Sequence, residues 1–146
     1  VVGRRLVLGG LELPWDLGLE GHSDADVICH AVIDALCGAS GLGDIGSLFP
    51  DSDPRLKDAR SLDLLREVSE RCRKSGWRVE NVDITLLAQV PRLSPYRDRI
   101  RKNLAEAIGI VESDVSVKAT TTDHVGPIGD GQAMAALAVA LLERVP

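Results

Sequence analysis

Aromatic residues are nearly absent from this chain: two Trp, one Tyr and one Phe, 3% of 146 residues. That excludes a core built on stacked rings, so Leu, Val, Ile and Ala must fill it. A basic surplus is missing too. Lys and Arg number 17 against 22 Asp and Glu, for a net charge of −5. Nucleic-acid and membrane-surface binders need a basic face, so neither partner class fits. A small anion still does, because a few backbone N–H groups and a cation can hold one. Cysteine is sparse. Cys29, Cys37 and Cys72 are too few and too scattered for a disulfide framework or a zinc ribbon. They read as buried thiols of a reducing compartment. Long apolar runs are lacking as well. The longest, residues 133–142, falls short of the roughly 20 residues of a membrane-spanning helix and reads as a buried core helix. The opening Val1-Val2-Gly3, without an initiator Met, reads as a fragment or a processed product.

What is present suits one compact domain covering residues 1–146, with 45% hydrophobic residues to bury. Leu6-Val7-Leu8 and Leu11-Glu12-Leu13 flank Gly9-Gly10, which predicts a hairpin ended by Pro14. Ser23 caps a helix reaching about residue 39, with Asp26 at the capping-box position. Ile28, Val32, Ala35 and Leu36 form its apolar face. Asp26, His30 and Asp34 recur every fourth residue on the opposite stripe. Residues 38–54 form a Gly/Asp/Pro loop. A second helix spans 61–74, with Leu64, Leu65, Val68 and Cys72 inward and Gly76 as its stop. Alternation predicts strands at 81–89 and 115–120. Between them a helix starts at Ser94-Pro95 and closes at Gly109. Residues 121–131 form a loop, and 132–144 the last helix. The order β-β-α-α-β-α-β-α implies an α/β sandwich of the α+β class.

Three kinds of residue could carry chemistry. His22 precedes the first helix and His30 lies on it between two carboxylates, as metal-bound histidines often do. A helical His is nonetheless more often a plain hydrogen-bonded surface group. Cys29 points about 100° away from its neighbour His30. Thr120-Thr121-Thr122-Asp123 passes from a strand end into a loop. Three hydroxyls and an acid suit phosphate oxygens and a hard cation, although Thr in strands and Asp in turns explain the run equally simply. Asp44, Asp51 and Asp53 sit among Gly and Pro, where a polar turn is the simple explanation. No P-loop occurs, and Gly41-Leu42-Gly43-Asp44-Ile45-Gly46, although spaced as G-x-G-x-x-G, follows a predicted helix rather than a strand and so is not a dinucleotide loop.

The combination and order are more specific than any one signal. Gly21-His22-Ser23-Asp24-Ala25-Asp26-Val27, His30, Asp34-Ala35, Leu42-Gly43-Asp44-Ile45-Gly46, Phe49-Pro50-Asp51-Ser52-Asp53, Asn81-Val82-Asp83, Ala88-Gln89 with Pro91, and Val117 to Thr122 together resemble the 2-C-methyl-D-erythritol 2,4-cyclodiphosphate synthase family. The resemblance runs in register from about Leu8 to Leu142. It implies conversion of 4-diphosphocytidyl-2-C-methyl-D-erythritol 2-phosphate to the cyclic diphosphate and CMP, in non-mevalonate isoprenoid synthesis. It also implies a four-stranded mixed sheet with helices on one face. Three such subunits would form a homotrimer with active sites between them, in the cytoplasm or a plastid.

Carried over by resemblance, His30 is a zinc ligand, or one for another divalent cation. The family's D-x-H motif, which supplies two more ligands from a first strand, has no counterpart ahead of Leu6. His22 and Ser23 contact the erythritol phosphate end, with His22 stabilising the transition state. Asp34, Asp44, Ile45 and Gly46 belong to the substrate site, Asp44 and Gly46 holding sugar hydroxyls. Phe49, Pro50, Asp51, Ser52 and Asp53 close over the erythritol side. Ala88, Gln89, Val90, Pro91, Arg92, Leu93 and Ser94 accept the cytosine. Ala119, Thr120, Thr121 and Thr122 line the nucleotide phosphates, Thr121 assisting the transition state. Asp123, where the family commonly has Glu, is the candidate ligand of Mg²⁺ or Mn²⁺. Three further positions depart from the pattern. Pro127 replaces an aromatic, Asp130 an Arg that meets phosphate, and Gln132 a Glu. The main competing reading is a non-catalytic trimeric module that binds a cytidine nucleotide or an isoprenoid diphosphate, and a second is a metal-dependent hydrolase using the same His and Asp residues on another phosphate ester; substrate turnover separates them.

Overall fold

The structure is a computed structural model and describes residues 1–21 and 23–146. Strands β1 (Leu6–Leu8) and β2 (Leu11–Leu13) form the expected antiparallel hairpin. Gly9 (φ +57°) and Gly10 (φ +74°) take the left-handed conformation of a tight two-residue turn. The turn is also wedged into the molecule. A Cβ on Gly9 would lie 2.4 Å from Ile100 Cγ2, and one on Gly10 2.6 Å from Leu62 Cδ2.

Helix α1 (Val27–Ser40) begins later than the sequence suggests. Its cap is Asp26 rather than Ser23, and Asp26 is fully buried instead of lying on a solvated stripe with His30 and Asp34. The short α2 (Ile45–Leu48) is capped by Asp44, whose carboxylate accepts the Ser47 N–H at 2.8 Å. That bond holds the Asp44 carboxyl below its usual pKa. Helix α3 (Ser61–Lys74) has the expected bounds, with Ser75 as its C-cap just before Gly76. A 3-10 turn over Ser94–Tyr96 precedes α4 (Arg97–Ile108), which ends at left-handed Gly109. The very short α5 (Gly126–Gly129) interrupts the predicted loop.

The sheet corrects two expectations. It has three strands among the described residues, ordered β4 (Val115–Thr120), β3 (Trp77–Leu87), β5 (Ala135–Arg144), rather than four. The β1–β2 hairpin forms a separate small sheet. β5 replaces the predicted last helix: residues 135–144 pair antiparallel with β3 along almost its whole length. Helix-favouring Ala and Leu are overridden there by tertiary pairing. β3 and β4 run parallel, joined by the α4 crossover, so the sheet is mixed.

Helices α1, α3 and α4 pack against the sheet. Ala136, Ala138, Ala140 and Leu142 of β5 face the core, and the three alanines are small enough to let α1 approach closely. The alternate residues Leu137, Val139 and Leu141 remain 57–71% exposed. The largest fully buried side chains are Leu, Ile and Val, as the scarcity of rings requires. No helix among the described residues is long and apolar enough to cross a membrane.

Candidate active site

A cavity of about 560 Å³ opens beside the N-terminal end of α1. Ser23 and His30 line one side, Ile45, Gly46, Phe49 and Asp51 another, and Gln132, Ala133 and Met134 a third. The structure thus brings together residues from two separated sequence motifs. It adds Leu19, Leu56, Leu64 and Met134, apolar residues that sequence alone cannot tell from core. Gln132 stood out in the sequence only as a departure. Its neighbours Ala133 and Met134 are misplaced when the segment is read as helix. Of the other residues expected on this side, Asp34, Asp44, Pro50, Ser52 and Asp53 do not line the cavity. Asp34 instead accepts the Ile45 N–H at 3.0 Å, anchoring α2 to α1. Asp53 caps a 3-10 turn and pairs with Arg55. The roles expected of His22 lie outside the described residues.

His30 is held from two elements. Its Nε2 lies 2.8 Å from Ser61 Oγ, at the start of α3, and 3.3 Å from Ser23 Oγ. Ser61 donates its hydroxyl to Asp24 Oδ1 at 2.5 Å, and its N–H to Asp24 Oδ2 at 3.0 Å. The Ser61 proton is therefore spent on a carboxylate, so the short contact to His30 is best made by a ring N–H donating to Ser61 Oγ. Asp26 lies deeper. Its carboxylate accepts N–H groups from Gly9 (2.9 Å), Gly10 (2.7 Å) and Cys29 (3.1 Å). Burial pushes its pKa up while these three donors pull it down, and burial wins. Burial also raises the Cys29 thiol, and lifts Cys37 to about 11. All three cysteines are free and buried, as expected.

Asp26 accepts three backbone N–H groups and Asp24 accepts both the N–H and the hydroxyl of Ser61, while Asp34 gives Oδ1 to the Ile45 N–H. Among the described residues no group of three or more His, Cys, Asp or Glu could hold a metal ion. His30 offers a single donor, short of the three protein ligands of a catalytic zinc.

The second group of expected residues forms a separate cluster. Leu87 and Thr120 stand side by side at the ends of parallel β3 and β4, so the loops that follow leave the same sheet edge. Open α/β sheets commonly bind ligands at such carboxyl ends. Ala88 donates its N–H to Thr120 O at 3.0 Å, and His124 its N–H to Gln89 Oε1 at 3.1 Å. Ala88 and Leu93 are buried, so the Leu93 side chain belongs to the core rather than to a ligand. Val90 and Arg92 are exposed, and Pro91 follows a cis peptide. Asp123 and His124 both adopt positive φ, +51° and +63°, a strained pair of the kind that clusters at functional loops. Gly129 packs beneath them, where a Cβ would come within 2.2 Å of the His124 carbonyl carbon. Thr121 Oγ1 accepts the Asp123 N–H at 3.3 Å and donates its hydroxyl to Asp123 Oδ1 at 3.4 Å, at an exposed position. Pro127 and Asp130 are exposed at the two ends of α5. None of residues 88–94 or 119–123 lines the cavity.

Comparison with known proteins places this arrangement. The sequence model of the YgbB family matches residues 1–143. A 2-C-methyl-D-erythritol 2,4-cyclodiphosphate synthase of Moorella thermoacetica is 54% identical over 142 residues, covering 97% of this chain and 87% of that protein. The protein of the same name from Syntrophomonas wolfei is 55% identical over 142 residues, covering 97% and 90%. Among solved structures, the IspF of Plasmodium falciparum in its CDP complex superposes with a TM-score of 0.86 at 36% identity, covering 98% of this chain and 86% of that one. The bifunctional IspDF of Campylobacter jejuni gives a TM-score of 0.94 at 39% identity, over 99% of this chain and 39% of that larger one. With a family model matched over nearly its full length and relatives above half identity, this chain belongs to the YgbB family of 2-C-methyl-D-erythritol 2,4-cyclodiphosphate synthases.

Proposed function

We propose that this chain catalyses the reaction its relatives are named for, within isoprenoid biosynthesis. The 2-phosphate of 4-diphosphocytidyl-2-C-methyl-D-erythritol 2-phosphate attacks the β-phosphorus. The bond from that phosphorus to the bridging oxygen breaks, the cyclic diphosphate forms, and CMP leaves with the oxygen. The nucleophile is already an anion near neutral pH, so no strong general base is needed. The barrier lies in like-charge repulsion and in aligning attacking and leaving oxygens, which positioning and oriented dipoles lower.

One observation carries the reading: Ser23 and His30 from one motif and Gly46 and Phe49 from another wall a single cavity. That cavity takes the erythritol phosphate end. The loops after β3 and β4 take the cytosine and the nucleotide phosphates, with Thr121 donating to charge that develops in the transition state. Both groups of loops belong to one substrate, yet within one chain the second group does not line the cavity. Sites shared between subunits of a homotrimer satisfy this. The exposed row Leu137, Val139 and Leu141 gives the sheet an apolar outer face suited to subunit packing. His30 would give one ligand to zinc or another divalent cation, and Asp123 one to a Mg²⁺ or Mn²⁺ that would offset charge on the phosphates. Phosphorus NMR of the reaction products tests the proposal. Cyclic diphosphate with CMP is expected, and linear phosphorylated products alone would refute it.

A further inference from the structure

The cavity wall formed by α2 and its flanks is lightly built. α2 has four residues, none of them buried. Such a segment opens locally unless something outside it holds it down. Two residues do so. Asp34 takes the Ile45 N–H at the start of α2, as described above. At the other end, the Arg71 guanidinium carbon lies 5.8 Å from the centroid of the Phe49 ring. Phe49 has no polar atom and can be oriented only by packing and by its π face. Arg71 is itself held by Glu67, whose Oε1 accepts its Nη2–H at 2.9 Å. The acid stands one turn N-terminal to the base, the favourable order on a helix. Arg71 does not line the cavity.

We propose that Arg71 is a positioning residue for substrate: through Phe49 it holds the α2 wall closed on the sugar-phosphate half, so it sets affinity for that half and not for the nucleotide. The inference rests on the assignment of this cavity to the erythritol phosphate end. A cation over an aromatic face at a partly exposed site is worth about two- to five-fold in a binding constant. The pair acts before chemistry, so the effect falls on KM while kcat stays near its normal value.

The test measures KM and kcat with the diphosphocytidyl substrate, and Kd for CDP by calorimetry, in Arg71→Met, Arg71→Lys and Phe49→Leu. Arg71→Met keeps an aliphatic stem at a half-exposed position and removes the charge. A KM raised about two- to five-fold with CDP affinity unchanged is expected, with partial restoration in Arg71→Lys. Arg71→Met should add nothing in the Phe49→Leu background, since the ring it acts through is gone. An unchanged KM in Arg71→Met overturns the positioning role and leaves the cavity assignment standing. A parallel rise in KM and in the Kd for CDP overturns the cavity assignment itself, and this inference with it.

Discussion

Replacing Asp26 by Ala should be among the most destabilising single changes in this protein. The side chain has no exposed surface and accepts three backbone N–H groups, from Gly9, Gly10 and Cys29. It therefore ties the hairpin turn to the first turn of α1. A buried donor left unpaired costs about 1–3 kcal/mol. The Gly9 and Cys29 bonds are buried, whereas the Gly10 bond is only partly so and can be rehydrated. Two lost partners give about 2–6 kcal/mol. The upper end is discounted because the buried carboxylate is itself costly to charge, as its raised pKa indicates. A loss of about 2–5 kcal/mol compares with a typical total of about 5–15. Asp26→Asn retains one acceptor oxygen but turns an NH₂ toward a donor, so it should cost less than Ala. The pH dependence has a definite sign. With the folded pKa raised above the unfolded value of about 3.9, the folded state binds the extra proton in that window. Wild-type stability from this group is therefore greatest below that value and declines as pH rises through the folded pKa; in Asn this contribution is flat. Urea denaturation at one fixed protomer concentration is the assay, since association would otherwise shift the midpoint. A cost below about 1 kcal/mol for Asp26→Ala would show that water or a relaxed turn satisfies these donors, and the account of the hairpin as a clamped element would fail.

Other outcomes follow from the site. Thr121→Ala should lower turnover about 10²–10³-fold, the effect of one lost donor to developing charge, and leave urea stability within about 0.5 kcal/mol because the residue is exposed; near-normal turnover in the folded variant contradicts its role. Asp130→Arg should tighten CDP binding. A unit pair at about 4 Å is worth about 4 kcal/mol at an effective dielectric near 20, but at this exposed helix end screening leaves at most about five-fold; unchanged or weaker binding by calorimetry means that Asp130 faces away from the phosphates. Light scattering should give three protomer masses at micromolar concentration, and Val139→Glu, which puts charge into the exposed β5 row, should shift the mass toward one protomer; an unaltered trimer in that variant removes this face from the interface.

Much of the architecture can be read from the sequence where local and tertiary preferences agree. Gly9-Gly10 demands a tight turn, the leucine stripe of α3 has helical period, and Val82, Ile84 and Leu86 alternate as β3 requires. β5 fails for a physical reason. Alternation signals a strand only when one face is polar, and here the outward residues are Leu137, Val139 and Leu141. With both faces apolar and Ala on the inner one, nothing in hydropathy opposes the helical propensity of the segment, and only its pairing with β3 decides the matter.

The same division runs through the site. Polar motifs such as His22-Ser23 and Thr120-Thr121-Thr122 stand out in the sequence, whereas Leu19, Leu56, Leu64 and Met134 line the cavity with side chains that could equally be core. Arg71 belongs to no motif, and only its place over Phe49 singles it out. The stripe of Asp26, His30 and Asp34 is the sharpest case. Helical spacing correctly puts three potential ligands one turn apart, yet it carries no information about what each carboxylate has already bound. Gly9 and Gly10 claim Asp26, and Ile45 claims Asp34, from segments distant in the chain. Spacing gives the potential ligands of a helix face, and only the fold shows what each has bound: backbone N–H groups take both oxygens of Asp26 and Oδ1 of Asp34, and Ser61 meets Nε2 of His30.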